Sequence, residues 1–295
     1  MTQTDSAIQP QVLPGQHGIA WLIQSLVLMR AQPARLLLLA LVMQFVLGLT
    51  QLPLIGFFVI IAIPALSAGL LEGFHQVAKG QPASPAVLFT PLGASPMTGR
   101  LFGLGVIMFG IGLISVSLVL SGSVAELDPD LLQRIEQGDI DALASIDENL
   151  IFRIMMAVIV GISISGTISF MSIPLVWFRK QKLSTSVMIG LKALVINWKP
   201  FLMLSLGMFA LTIPVALLVG VLFQLSTSSS GLAFILLALV MLLMLAFQLV
   251  LFGTQYCAFR EIFGFDRPAR QRELAEQPEE KTETKNDPDD DQFVA

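Results

Sequence analysis

Side chains able to do chemistry are few in this 295-residue chain. It holds two histidines and a single cysteine, Cys257, and no H-E-x-x-H, G-x-S-x-G or phosphate-binding glycine loop. The pattern nearest to a metal site is Glu72-Gly73-Phe74-His75, whose i, i+3 spacing is that of half a di-iron carboxylate site in a helical bundle. Such a site needs a second Glu-x-x-His pair and two more glutamates. The matching stretch late in the chain reads Ala258-Phe259-Arg260-Glu261. The pair therefore reads as a carboxylate and an imidazole at a water interface, and neither a metal nor another cofactor is expected.

A second concentration of ligand-type groups lies in 122–149, with Glu126, Asp128, Asp130, Glu136, Asp139, Asp141, Asp147 and Glu148 against Arg134 alone. No spacing there matches a calcium loop with its turn glycine and bidentate glutamate, so a solvated acidic face is the simpler reading. Asp128-Pro129 suits a helix start, Gly138 a stop, and a second short helix would end near Ile146.

The remaining polar groups sit inside apolar runs. Gly161, Ser165 and Ser169 form a row of small residues four apart, with Ser163 and Thr167 between them, and Gln44 and Gln248 lie in other runs. Small residues let membrane helices approach closely. The row reads first as a packing surface; with Gln248 it is also the candidate polar path for a substrate. Gly103/Gly110 and Gly105/Gly112 repeat every seven residues, which makes the third and fourth spans the expected packed centre.

These groups are positioned by four stretches without Asp, Glu, Lys, Arg or His: 36–71, 101–125, 154–178 and 200–259. Hydrophobic residues make up 55% of the chain, charged residues 13%, and mean hydropathy is +0.79. A soluble domain carries roughly 25% charged residues, so the composition is that of a multi-pass membrane protein. The first stretch would be about 54 Å long as one helix, too much for a hydrocarbon core of about 30 Å. A break at Leu52-Pro53 divides it, and 226–231 (Ser-Thr-Ser-Ser-Ser-Gly) divides the last. Six spans result, at about 36–52, 54–72, 101–122, 154–177, 200–225 and 232–259. The fold class is thus all-α: a polytopic transmembrane helical bundle over 15–265, between a flexible terminus (1–14) and an acidic tail (266–295). The tail carries ten acids and few apolar residues, which suits a disordered segment. The opening residues lack the basic and apolar regions of a cleavable signal, so the first span is expected to target the chain.

Sidedness follows from Lys and Arg. With the N-terminus inside, 15 of the 17 basic residues face inward, and Arg179, Lys180, Lys182, Lys192 and Lys199 crowd one inner loop without an acid. Both termini are expected in the cytoplasm. Ala20–Pro33 aligns without gaps on Val187–Pro200, each a partly amphipathic run ending in proline before a pair of spans. Ile19, Leu22, Ile23 and Leu26 share one face of the first; Val187, Leu191, Leu194 and Trp198 share one of the second. This points to a parallel duplication. Ile63-Pro64, Ile173-Pro174 and Ile213-Pro214 repeat inside three spans as expected kinks.

The segments 21–33 (WLIQSLVLMRAQP), 53–56 (PLIG), 63–70 (IPALSAGL), 191–200 (LKALVINWKP) and 256–263 (YCAFREIF) resemble an uncharacterised family of bacterial multi-pass inner-membrane proteins. More distantly they are similar to the membrane domain joined to some glycerophosphodiester phosphodiesterases, without a catalytic domain. The resemblance spans about 15–265 and implies a bacterial cytoplasmic membrane; it carries no catalytic residues. The expected role is non-enzymatic, as a scaffold or component of an envelope assembly. The alternative is a transporter or lipid-handling protein for an amphiphilic substrate. Expected partners are the bilayer, a membrane or cytoplasmic protein, or a second copy of the chain, but no nucleic acid.

Overall fold

A computed structural model describes residues 9–123, 148–228 and 232–265. The helices expected over 128–146 and the tail lie outside them. The described residues form α-helices and 3-10 turns without strands. The α-helices are α1 (His17–Ala31), α2 (Pro33–Gly48), α3 (Pro53–Ala78), α4 (Met97–Ser123), α5 (Glu148–Arg179), α6 (Leu183–Ile196), α7 (Trp198–Ser228) and α8 (Ala233–Ile262). All but α1 and α6 are long and apolar enough to cross a membrane, α2 counted with the 3-10 turn that follows it; the protein is a six-span helical bundle.

Proline and glycine punctuate the chain where their backbone chemistry demands it. Pro33 and Pro53 open α2 and α3, where the missing N–H would have had no helical partner anyway. Between them the 3-10 turn Leu49–Gln51 ends at extended Leu52. Gly80 and Gly264 follow α3 and α8 in the left-handed region, at φ 71° and 56°, as helix-ending glycines do. Pro64, Pro174 and Pro214 lie inside α3, α5 and α7.

Burial is strongly uneven along the spans. The side chains of Ala65–Leu71 are buried on every face of α3, as are Met171–Val176 of α5 and Gly253–Phe259 of α8. These three segments share one core with Trp21 of α1, Leu36 and Leu39 of α2, and Leu101 and Leu104 of α4. The packed centre is therefore not spans three and four. An 18-residue window of α3 is 61% buried, against 11% for α4 and 28% for α5. Span two is completed by Gly105 of α4, where any Cβ would strike the backbone of Ile61, and by Gly69, where it would strike Leu88. A Cβ added at Gly110 or Gly112 would meet open space instead. The seven-residue spacing marks a helix face but not how far that face is covered.

All the segments that close the core meet at one end. Arg100 at the start of α4 donates to the carbonyls of Lys180 (2.6 Å) and Gln181 (3.1 Å) after α5. Gln32 bonds Gln81 and Ala83 beyond α3. The sequence assigns 1–14 to a flexible terminus, yet within it the Gln11 amide donates to the Ile262 carbonyl at 2.9 Å and Leu13 to Asn197. Toward the opposite end α7 and α8 present exposed side chains such as Leu217 and Phe234, and an 18-residue window of α7 is only 6% buried.

Candidate functional site

Among the described residues, the packed end holds two carboxylate stations. Glu72 of α3 accepts the indole N–H of Trp177 from α5 at 2.9 Å. Glu261 of α8 accepts the indole N–H of Trp21 from α1 through one oxygen and pairs with His17 Nδ1 at 2.8 Å through the other. Each carboxylate lies near the last turn of the second span of a hairpin, and each takes its indole from a helix outside that hairpin. A carboxylate drawn from water this way is held by charge-assisted hydrogen bonds, and it ties distant parts of the chain together.

Around the stations lies an aromatic cluster. His75 Nδ1 and the Tyr256 hydroxyl are 3.0 Å apart in a buried hydrogen bond. The His75, Phe178 and Phe265 rings pack with centroids 5.0–5.3 Å apart, and Arg179 sits over Phe265. Arg179 also donates to the Phe263 carbonyl, and Arg260 to Gln24 at 3.3 Å. Cys257 is buried among these residues. Glu72 and His75 thus point to separate partners, an indole and a phenol. Among the described residues no three His, Cys, Asp or Glu side chains come together as a metal would require.

Asn197, between α6 and α7, works as a clamp. Its amide oxygen accepts from Leu13 N, and its amide nitrogen donates to the carbonyls of Gln11 and Ala193, all within 2.9–3.0 Å. Nothing in L-V-I-N-W-K-P marks this residue beyond a buried-type amide before a helix start. Two of these partners, Leu13 and Gln11, lie more than 180 residues away in sequence, so only the fold brings them together.

The residues of the small-residue row separate onto two faces. Gly161 packs on Ser115 and the Gly112 backbone, and Ser165 donates across to the Met108 carbonyl at 3.3 Å. Ser169 is also buried but turns back to Gly166 O. Ser163 and Thr167 are exposed on the other side and donate to carbonyls of their own helix, Ile159 and Ser163. Gln248 of α8 lies elsewhere, accepting from Gln44 of α2 at 3.3 Å and reaching Met43 Sδ. Row and glutamine do not line one passage.

Grooves open between the spans, three of them formed among the described residues as follows. One, of about 660 Å³, lies between the outer parts of α4 and α5, bounded by Leu118, Phe152 and Met156. A second, of about 620 Å³, follows Gly105, Phe109, Gly112 and Gly161. The third, also about 620 Å³, runs between α5, α7 and α8, from Trp198 past Phe201 and Ser205 to Met208, with Thr167 and Thr254 on its wall. None is lined by Glu72, His75, Tyr256 or Glu261. Set beside protein-family models, curated proteins and solved structures, the chain matches none of them.

Proposed function

We propose that this chain is a non-enzymatic scaffold of the bacterial cytoplasmic membrane, a component of a larger envelope assembly. The observation that carries the reading is how the spans use their polar groups. Ser163, Thr167, Ser205 and Thr212 spend their hydroxyls on carbonyls of their own helices, and Gln44 and Gln248 bond each other. The glutamine pair joins two helices, while the hydroxyls are satisfied within their own helices. The two carboxylates are likewise engaged by indoles at the packed end. The reading includes the likeness to bacterial inner-membrane proteins, and a duplication relating the α1–α3 and α6–α8 units.

Sidedness belongs to the same proposal. The packed end carries Arg30, Arg35, Lys79, Arg100, the basic segment 179–199 and Arg260, which suits the cytoplasmic face. A reporter fused after Asp130 should then read as periplasmic and one after Ala295 as cytoplasmic; a reversed result for either fusion overturns the orientation. The scaffold itself is tested by purifying the chain at native expression level in lipid discs. One protein should accompany it at fixed stoichiometry and pull it back in the reciprocal purification. A chain that emerges with no protein at fixed stoichiometry overturns the scaffold. The groove between α5, α7 and α8 favours the second reading, a lipid-handling or transport role for an amphiphile, because hydroxyls of Thr167, Ser205 and Thr254 border an otherwise apolar wall.

A further inference from the structure

The groove between α5, α7 and α8 does not end at the membrane surface. Trp198, which closes its mouth, also lines a separate notch of about 460 Å³ formed by Val12, Leu13, Pro14, Ile196 and Lys199. An apolar groove and a small notch whose one charged lining residue is Lys199 therefore meet at one half-exposed indole. The Lys199 ammonium lies 5.8 Å from the Trp198 ring, and among the described residues it has no carboxylate partner. The notch walls are held in place by Asn197, which bonds Leu13 on one side and Ala193 on the other.

Three features define what fits. From Trp198 to Met208 the groove follows ten residues of α7. That is about 15 Å, the depth of one leaflet of a core about 30 Å thick. The wall is open to lipid, with Leu202 and Leu251 exposed on either side. At the mouth stands the exposed Lys199, and the segment 179–199 to which it belongs carries no acid. We infer that this is a binding site for a single anionic phospholipid of the adjoining leaflet. One acyl chain lies along Phe170, Phe201, Leu202 and Met208, the glycerol region meets Trp198, and the phosphate pairs with Lys199. A tryptophan at headgroup level and basic residues between helices suit such a ligand. The inference does not rest on the scaffold reading, since a bound lipid suits a scaffold or a carrier.

The test uses the full chain in nanodiscs of phosphatidylcholine with phosphatidylglycerol, followed by native mass spectrometry after detergent release. One phosphatidylglycerol per chain should be retained in preference to phosphatidylcholine. Lys199→Gln, a change on an exposed side chain, should lower that retention about fivefold, the share of one lysine at a headgroup. Lys79→Gln, at the same end but away from the notch, should leave it unchanged. Ser205→Trp, which fills the groove, should abolish retention of the lipid with Lys199 intact. Equal retention of both lipids, or equal losses for Lys199→Gln and Lys79→Gln, would overturn the site in favour of general surface attraction. Should Ser205→Trp fail to fold, the comparison of the two lysine variants decides alone.

Discussion

The two ends of this bundle are built on different principles. At the basic end, backbones touch through glycines, indoles reach carboxylates, and Asn197, Gln32 and Arg100 each bind loop carbonyls or amides. At the other end, α7 and α8 present Leu217, Phe234 and Ile235 outward, with Phe234 88% exposed. In water that exposure would drive collapse. In a bilayer the acyl chains are as apolar as the side chains, so covering Phe234 with protein gains little. Cohesion must instead come from close backbone approach and hydrogen bonding, and this chain gathers most of both between its basic end and mid-span.

The comparison can be broken most forcefully at Gly105. A leucine there must displace the Ile61 backbone, so Gly105→Leu should cost about 3 kcal/mol, the upper range for overpacking, and lower the unfolding midpoint in detergent. Gly220→Leu, with open space around it at the other end, should leave that midpoint nearly unchanged. Equal effects would mean that both ends are packed alike. Next in size is Trp177→Phe, which keeps an aromatic ring but leaves Glu72 without its indole. About 2 kcal/mol should be lost, measured by reversible denaturation in mixed micelles. No loss would assign Glu72 to solvent. Smaller still is the Gln44–Gln248 pair: a double-mutant cycle with leucine at each position should give a coupling of about 0.6 kcal/mol. A coupling near zero would show that the pair holds nothing. Least of all, Phe234→Ala at the open end should change stability by less than about 0.5 kcal/mol, and a larger loss would reveal a contact on that face.

How much of this could be read from residues alone depends on the range of the interaction. The break at Leu52-Pro53 and the helix start at Pro33 are local, dictated by proline chemistry, and the helices begin there. The small-residue row was legible as a helix face, and Gly161 and Ser165 do lie against α4. Which helix sits at the centre was not legible. Periodic glycines in α4 attract notice, whereas the continuous burial of Ala65–Leu71 is invisible in a span whose residues are apolar on every side. The Trp21–Glu261 and Trp177–Glu72 bonds join residues 240 and 105 positions apart, beyond any spacing argument.

By itself the sequence determined the solvent and the elements. Runs without charge of the length a bilayer demands, cut by proline and polar turns, leave no other stable arrangement than spanning helices, because the backbone must satisfy its own hydrogen bonds in lipid. The tertiary structure alone decided where those helices hold together. Apolar side chains serve equally well against lipid or protein, so composition cannot tell the two apart. The distinction rests on which glycine meets a backbone and which carboxylate meets an indole, and both depend on how separate helices are placed in space.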